Sequence, residues 1–381
     1  MDKKIQIFSN CIPVKGFSRS LICDLQRKKY YFIPNDFFIQ LQEYDDKISK
    51  NLSVIKDNEK PYFEQEYIDF LIENDLAYFV ESNDIQHFPK LNLDWAFPSK
   101  ITNSIISINH KFFHSFDFGS IIEQLDRFNC KAIQLRVYDL LSLDFIKQLL
   151  SFFNESRIEA IELFFPFNPD ISQDEIKYLF PEFLRLSALY LFNGEKDDLY
   201  FADQNKEHPI NITKTKIQND SFCGFISPFS YAKNNNLTFF TESQCHNTCL
   251  NRKLCIDQNG EIKNCPAMAK SYGNIKDTAL KEVISNPEFQ ELWTISKDQI
   301  DVCQDCEFRH MCMDCRAFIK DPENIYSQPA KCTYNPYICK WDGQDGYIPV
   351  EECGTYTRET GFVPDIEKIN ALNKLIWGED D

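Results

Sequence analysis

The stretch CQDCEFRHMCMDC, residues 303–315, places four cysteines within thirteen residues and contains no glycine. It holds two Cys-x2-Cys pairs, and each pair can direct two sulfurs from one tight turn toward a single metal centre. Four thiolates complete a tetrahedral zinc site, and four thiolates equally hold the corners of an iron–sulfur cluster. The spacing therefore predicts a metal site and leaves zinc and iron–sulfur both open.

More cysteines flank this stretch. Cys249, Cys255 and Cys265 precede it and Cys332 follows it, which makes eight thiols, or two sets of four. They belong to the region 239–381, where regular apolar patterning weakens and turns multiply. Dense, closely spaced cysteines in a reducing compartment favour metal over disulfides. Metal ligation would also crosslink a region that is poor in regular structure.

The composition is that of a globular chain of 381 residues, of which 43% are apolar. That length suits two or three domains and a substantial core. The net charge of −17 argues against a general affinity for nucleic acid or anionic membranes. The N-terminal stretch has no apolar run long enough for a secretion signal, and no segment has the length of a membrane span. We therefore expect a cytoplasmic protein.

A periodic pattern occupies residues 96–238. Four strand-like apolar runs repeat at intervals of 28 residues, centred on Ile105, Ile133, Ile161 and Leu189. Helical patterns separate the runs, and strand–helix–strand repeats at this interval predict parallel βα units. Four or five units make a partial barrel or an open sheet and are too few for eight full repeats. The predicted fold class is α/β with a degenerate partial (β/α) barrel. A further strand is predicted at FCGFISPF, residues 222–229.

The first 95 residues predict a small mixed domain. SLICDL (20–25) and YYFIP (30–34) alternate around a short link, as a hairpin does. Helical patterns follow at 35–48 and 63–76, and AYFVES (77–82) returns as a strand. This order resembles the winged-helix, PqqD-like leader-binding domain of peptide-maturation systems. The resemblance implies a peptide recognition domain, and a packing domain without a ligand is the alternative.

The C-terminal cysteines have a more specific resemblance. CLNRKLCIDQNGEIKNCPAM (249–268), the stretch 303–315 and the last cysteine at 332 look like a SPASM domain, the C-terminal extension of many radical S-adenosylmethionine enzymes that modify peptides. One departure is that two residues, rather than three, separate Cys312 from Cys315. The resemblance implies two 4Fe–4S clusters with interleaved ligands. The implied ligands of the first cluster are Cys249, Cys255, Cys265 and Cys315. The implied ligands of the second cluster are Cys303, Cys306, Cys312 and Cys332.

Other cysteines and histidines lie near these sets. Cys245 in CHNTC could replace Cys249 as a ligand, and His246 and His310 are near enough in sequence to consider, because mixed Cys/His sites exist. None of the three is predicted to be a ligand. The remaining cysteines also receive no cluster role: Cys11, Cys23, Cys130, Cys223, Cys339 and Cys353.

The loop that radical S-adenosylmethionine enzymes need is missing. In those enzymes a CxxxCxxC loop follows the first barrel strand, whereas KFFHSFDFGS (111–120) follows NSIISINH here and contains no cysteine. We therefore expect no S-adenosylmethionine chemistry. The whole chain resembles the SPASM-domain peptide maturases of grasp-with-SPASM systems, on the phrase NTCLNRK…IDQNGEIKNCPAM…GNI…CEFRHMCMDCRAF. That resemblance implies a precursor peptide and an ATP-grasp ligase as partners.

Three functions remain open on the sequence. The first is maturation of a ribosomally synthesised peptide together with the ligase, with the N-terminal domain binding the leader and two 4Fe–4S clusters in the C-terminal domain. The second is a non-catalytic adaptor, stabilised by iron–sulfur or zinc, that presents the precursor to the ligase. The third is an electron-transfer module. No acid–base pair, nucleophile or phosphate-binding loop stands out, so the sequence identifies no catalytic residue and leaves open whether the chain is an enzyme.

Overall fold

The computed structural model describes residues 3–49, 63–223, 226–228 and 231–378. The chain divides into two compact units, each built from separated segments. The first unit comprises residues 1–95, 224–248 and 295–381, and the second comprises 96–223 and 249–294. The cysteine-rich region is therefore shared between the two units.

Short strands and helices alternate along the chain. The strands are β1 (Lys3–Ile7), β2 (Cys11–Val14), β3 (Ser20–Asp24), β4 (Lys29–Ile33), β5 (Ala77–Glu81), β6 (Asn103–Ile108), β7 (Ala132–Val137), β8 (Ala160–Pro166), β9 (Leu186–Phe192), β10 (Asp198–Phe201), β11 (Pro209–Ile212), β12 (Lys253–Ile256), β13 (Ile262–Lys263), β14 (Tyr334–Asn335), β15 (Lys340–Trp341), β16 (Gly354–Thr357) and β17 (Gly361–Pro364). The α-helices are α1 (Asn35–Ser49), α2 (Gln65–Glu73), α3 (His110–Ser115), α4 (Phe118–Arg127), α5 (Leu143–Ser151), α6 (Gln173–Glu182), α7 (Tyr231–Asn234), α8 (Leu237–Cys245), α9 (Leu280–Ile284), α10 (Pro287–Gln290) and α11 (Ile366–Trp377).

An eight-stranded sheet forms the centre of the second unit. Its order is β10-β11-β9-β8-β7-β6-β12-β13, and the six central strands are parallel. Antiparallel pairs close both edges, β10 with β11 and β12 with β13. The four predicted apolar runs are β6 to β9, and the residues that define their period are buried. The prediction of parallel βα units is confirmed.

The two faces of this sheet differ in chemistry. In β7 the side chains of Ile133, Leu135 and Val137 are buried, while the alternate residues Gln134 and Arg136 are half-buried. Successive side chains of a strand point to opposite faces, so one face is apolar and the other carries polar groups. The helices α4, α5 and α6 each begin with a capping Asp or Ser side chain that accepts a backbone N–H. Cys255 lies on the same face as Gln134, because Cys255 pairs with Ile105 and Ile105 pairs with Gln134.

The strand predicted at 222–229 is not formed in the described part of that segment, residues 222–223 and 226–228. The remaining residues of the prediction lie outside the described residues. The sheet is extended instead by β11, which pairs with β9 in parallel. The segment before residue 222 is tied to the strand ends through Asp220, which bonds to Ser107 and Arg136. Those side-chain contacts hold Asp220 beside the ends of β6 and β7.

Antiparallel strands and two helices form the N-terminal part of the first unit. The strands β2, β3 and β4 make one sheet, and β1 pairs with β5. The predicted hairpin is β3–β4, and the predicted helices and final strand are α1, α2 and β5. Their apolar core contains Ile22, Ile33, Phe37, Leu41 and Leu71. The secondary structure predicted for this part of the chain is therefore confirmed.

The C-terminal part of the first unit has little regular structure. Two small antiparallel pairs, β14–β15 and β16–β17, precede the helix α11. Tyr337, Cys353, Phe362 and Ile369 form a compact core among them. None of the helices in the described residues is both long and apolar enough to cross a membrane.

Candidate metal centres

Four predicted ligands surround one small cavity in the first unit. The cavity has a volume of about 20 Å³. Its wall also contains two buried tyrosines, Tyr231 and Tyr334, and the side chains of Lys297 and Arg309. The cysteines that line it are Cys303, Cys306, Cys312 and Cys332.

Tight turns bring these four cysteines together. The Cys306 amide donates to the Cys303 carbonyl at 3.0 Å, which closes the first Cys-x2-Cys turn. Val302, just before it, has a left-handed backbone with a φ of 66°, an uncommon conformation for a β-branched residue. The Cys332 amide donates to the carbonyl of Pro329 at 3.2 Å. A short 3-10 helix, Cys303–Asp305, and local turns therefore direct the sulfurs of this set.

Burial sets the protonation of these thiols. It raises the pKa of Cys303 to about 12 and that of Cys312 to about 11, and it raises the pKa of Cys306 and Cys332 as well. For three of the thiols, a negative charge on a neighbouring cysteine of the set raises the pKa further. Without metal the thiols are therefore neutral at pH 7. Metal binding has to displace their protons.

A buried lysine with a carboxylate partner stands beside this set. Lys297 is only 4% exposed, and its Nζ lies 3.8 Å from Cys303 Sγ and 3.4 Å from Asp314 Oδ1. Asp314 also accepts from Arg316 at 2.8 Å and from Asn247 at 2.6 Å. Burial alone would raise the pKa of Asp314, but the positive charges of Lys297 and Arg316 lower it. The ammonium group of Lys297 is therefore compensated by the protein itself.

Three ligands of the other predicted set lie in the second unit. Cys255 is in β12, where it pairs with Ile105 of β6 and Lys263 of β13, and its sulfur donates to the carbonyl of Asn264 at 3.3 Å. Burial raises the pKa of Cys255 to about 12. The pKa of Cys265 is raised by a hydrogen bond with Cys223, by burial, and by negative charge on Cys255 and Cys249. The three predicted ligands thus lie within electrostatic range of one another.

A second buried lysine stands beside these thiols. Lys253 is 8% exposed, and its Nζ donates to Cys249 Sγ at 3.6 Å. In the described residues no carboxylate lies within ion-pair distance of it. Burial lowers its pKa, but negative charge on the three cysteines outweighs that effect and the pKa is raised. A buried ammonium without a carboxylate is costly, so this site calls for an anion at the thiols.

The remaining predicted groups are placed as follows. Cys315 is buried and belongs to the first unit. Cys245 is exposed at the end of α8. The His310 Nδ1 bonds to Ser243 Oγ at 3.0 Å, and the His246 ring lies 5.1 Å from the Trp95 ring. Neither histidine lines the cavity of the four thiols.

The four thiols around the small cavity are donors that suit either zinc or an iron–sulfur cluster. In the described part of the chain, no three Cys, His, Asp or Glu side chains are placed to hold one metal ion. A zinc ion with bonds of about 2.3 Å requires four sulfurs packed closely around one point. An iron–sulfur cluster uses four thiolates at the corners of a larger body. The thiol set at the cavity, with the buried Lys297 beside it, therefore has the donor chemistry that an iron–sulfur cluster requires.

A larger cavity adjoins the N-terminal sheet in the first unit. Its volume is about 680 Å³, and Tyr30 and Phe32 of β4 form part of its wall together with Phe308. Phe308 stacks on Tyr231 with a centroid separation of 4.6 Å and meets Tyr334 edge-on at 5.2 Å. Phe308 of the larger cavity therefore contacts both tyrosines that line the thiol cavity.

Comparison with known proteins identifies the cysteine-rich segment. Residues 245–307 match the SPASM family, an iron–sulfur cluster-binding domain. The structure is similar to that of SuiB from Streptococcus suis bound to S-adenosylmethionine, with 10% sequence identity, a TM-score of 0.37, and coverage of 86% of this chain and 100% of that one. A second SuiB structure has 12% identity, a TM-score of 0.36, and coverage of 86% and 99%. No curated protein matches the chain. The predicted SPASM segment is therefore confirmed over 245–307, and it is an iron–sulfur cluster-binding segment.

Proposed function

We propose that this chain acts in the maturation of a ribosomally synthesised peptide as a protein with two 4Fe–4S clusters and without radical S-adenosylmethionine chemistry. The observation that carries the proposal is the convergence of four thiols on one cavity beside a compensated buried lysine. The SPASM match supports iron–sulfur binding. The family resemblance of the whole chain supplies the partners, a precursor peptide and an ATP-grasp ligase.

The two clusters would be held by the two sets of thiolates. Lys297 and Lys253 would donate N–H groups to ligand sulfurs and offset the negative charge of each centre. A bound cluster would supply one-electron transfer or hold the fold together. The ligands proposed for the first cluster are Cys249, Cys255, Cys265 and Cys315. The ligands proposed for the second cluster are Cys303, Cys306, Cys312 and Cys332.

The absence of radical chemistry is proposed from the end of β6. There Asn109 caps α3 by accepting from the Phe112 amide, and the chain continues through His110–Ser115 without a thiol. A cluster that cleaves S-adenosylmethionine would need three cysteines at this position. The residues that follow this strand supply amide, imidazole and phenyl side chains instead.

The precursor leader is proposed to bind along β4. In the described residues β4 pairs only with β3, so its outer edge offers backbone N–H and C=O groups. An extended peptide can add to such an edge as a further strand. Alternate residues Tyr30 and Phe32 face the large cavity, and Phe32 is 43% exposed with the Arg19 guanidinium 3.6 Å from its ring centroid. Strand addition would give affinity, and the cavity would select side chains.

Leader binding is tested with a fluorescently labelled leader peptide of the precursor encoded with this chain. We expect Phe32→Ser to weaken binding at least tenfold, measured by fluorescence anisotropy. Phe79→Ser is the matched control, because Phe79 is 52% exposed on β5 in the same unit and outside the cavity. Equal binding by both variants and the unchanged protein would contradict the placement at β4.

Enzyme and adaptor are separated by mass analysis of the precursor. The precursor is incubated with the ligase and ATP, with and without this protein, and also with this protein alone. An enzyme changes the mass of the precursor when the ligase is omitted. An adaptor changes only the rate at which the ligase modifies the precursor, or the position in the precursor that the ligase modifies. No mass change and no effect on the ligase would contradict the proposed function.

A further inference from the structure

A further cavity of the first unit lies beside the four thiols. Its volume is about 250 Å³, and Val302 and Gln328 belong to its wall as well as to the wall of the thiol cavity. The buried side chains of Val350 and Phe362 make part of the wall apolar. Pockets for drug-sized ligands begin at roughly 300 Å³, so this cavity suits one long side chain rather than a larger molecule.

The rest of the wall is acidic. Three carboxylates line it, those of Asp301, Asp321 and Glu351. Two of them have cationic partners, because Arg358 Nε lies 2.9 Å from Asp321 Oδ2 and Lys320 forms an ion pair with Glu351. In the described residues, no cation forms an ion pair with Asp301. The cavity therefore contains one carboxylate without a counter-charge beside it.

Local contacts hold the Asp301 carboxylate in place. Its Oδ2 accepts from Asn324 Nδ2 at 3.4 Å. A Cβ atom at Gly361 would lie 2.2 Å from Oδ1, so the close approach requires glycine there, and the φ of 67° is one that glycine adopts readily. The charge of Arg316 reaches Asp301 only from beyond ion-pair distance, since that guanidinium bonds to Asp314 at 2.8 Å.

The same cavity has a second acceptor, the side-chain amide of Gln328. This residue is only 4% exposed, and its Oε1 is buried without a hydrogen-bond partner among the described residues. A buried acceptor without a donor is unfavourable. A ligand that carries positive charge and donates hydrogen bonds would satisfy both Gln328 and Asp301.

The chemistry of the wall favours an ammonium group over other cations. In the part of the chain that the structure describes, no three carboxylates are placed to hold one metal ion. Both oxygens of Asp301 already have close neighbours, so no free carboxylate edge remains for the two parallel bonds of a guanidinium. A lysine ammonium is a compact charge with three donors, and its methylene chain packs well on apolar surface.

We propose that this cavity binds the ammonium group of a lysine side chain, with Asp301 and the Gln328 amide oxygen as its acceptors. Val350 and Phe362 would contact the methylene chain. The inference rests on the proposed function in one respect, which is that the lysine belongs to the precursor peptide. A lysine bound here would hold its segment of the precursor next to the proposed second cluster.

The test measures binding of the peptide acetyl-Gly-Lys-Gly-amide to the anaerobically purified full chain by saturation-transfer difference NMR. We expect the norleucine peptide, which lacks the ammonium group, to bind about tenfold more weakly, because a hydrogen-bonded charge is lost. The arginine peptide and butylammonium are measured alongside. They distinguish an ammonium from a guanidinium and a peptide lysine from a free amine.

Variants locate the binding. We expect Asp301→Asn to weaken binding of the lysine peptide about tenfold and Gln328→Leu to weaken it about threefold. Asn at position 301 keeps an oxygen that can accept from Asn324, so the fold should persist. Glu323→Gln is the matched control, because it also removes one negative charge but lies outside the cavity wall, and it should leave binding unchanged. Equal iron content and equal urea midpoints confirm that the variants are folded.

Four results would overturn the inference: equal binding of the lysine and norleucine peptides, equal effects of Asp301→Asn and Glu323→Gln, tighter binding of the arginine peptide, or binding of butylammonium without the lysine peptide. The proposed function fails separately. A chain that binds the lysine peptide as expected, but neither changes the mass of the precursor nor affects the ligase, would keep the lysine site and reject the role in maturation.

Discussion

The two cysteine sets are alike in their thiols and different in how their buried lysines are balanced. In the first unit Lys297 lies between Cys303 and Asp314, so a carboxylate compensates its charge before any metal binds. In the second unit Lys253 donates to Cys249, and none of the described carboxylates forms an ion pair with it. The charge of Lys297 is balanced by a carboxylate without any metal. The charge of Lys253 is balanced only when the neighbouring thiols are deprotonated.

Because of that difference, we expect a bound cluster to change the stability of the two sites by different amounts. A lysine that already has a carboxylate stabilises the fold with or without metal. A buried lysine without one destabilises the metal-free fold and becomes favourable once thiolates surround the cluster. We expect the second unit to gain more stability from cluster binding than the first. The predictions below test this contrast.

The largest effect is expected from substituting Cys312, a proposed ligand of the second cluster, which lies in the first unit. Cys312→Ala removes one of the four thiols that surround the cavity, so the second cluster should not assemble and about half of the iron should be lost. Iron and sulfide assays after anaerobic reconstitution measure this. Cys353→Ala is the control, because Cys353 is buried in a separate core of the same unit. Equal iron in the two variants would show that the cavity is not a cluster site.

A second prediction concerns pH and applies to both sites. Burial raises the thiol pKa of Cys255 and of Cys303 from 9.0 to about 12. A raised thiol pKa means that the stability of the metal-free fold is fully present below pH 9 and is lost as pH rises toward 12. The loss is about 1.4 kcal/mol per pH unit for each such thiol.

The loaded protein holds these groups as thiolates and should not show this decline. Urea unfolding of the metal-free and loaded forms at pH 8, 9 and 10, under reducing anaerobic conditions, measures the difference. Parallel loss of stability in both forms would mean that the thiols do not ligate a metal.

A third prediction removes the compensated lysine. Lys297→Met leaves Asp314 buried with only one of its two cations, and we expect a loss of about 3 kcal/mol in the metal-free protein. Adding Asp314→Asn to the same variant should restore part of that loss, because the uncompensated carboxylate is gone. Strictly additive effects in this double-mutant cycle would argue against the ion pair.

The smallest effect is expected at the other lysine. Lys253→Met removes a buried ammonium that lacks a carboxylate, so the metal-free protein should keep its stability or gain about 1 kcal/mol. The loaded protein should instead lose stability, because the cluster loses a donor and a positive charge. Urea unfolding of both forms measures the reversal. A loss in the metal-free form as large as that of Lys297→Met would remove the distinction between the two sites.

The sheet of the second unit was predictable because its signal is local and repeated. An interval of 28 residues between apolar runs identified β6 to β9 as parallel strands. The interval did not give the register, which varies along the sheet: Ile133 pairs with Ser104 on one side and Ile161 on the other, and Leu163 pairs with Leu189. A bulge at Ile161 accounts for part of that drift.

The thiols that line the small cavity could also be found from the sequence, because short spacings and turns report local geometry. The side chains that contact those thiols could not be found in this way. Lys253 and Lys297 look like ordinary surface residues in the sequence, and only the fold buries them. The pattern FCGFISPF suggested a strand because its apolar residues resemble one, but its described residues, 222–223 and 226–228, form none. Asp220, just before this segment, bonds to side chains at two distant strand ends.

The central claim is that two sets of thiolates hold two four-iron clusters. Quantification of iron, acid-labile sulfide and zinc in anaerobically purified, unmodified protein tests it most directly. The account predicts brown protein with about eight irons and eight sulfides per chain and no stoichiometric zinc. Colourless protein with one or two zinc ions and no sulfide would contradict it.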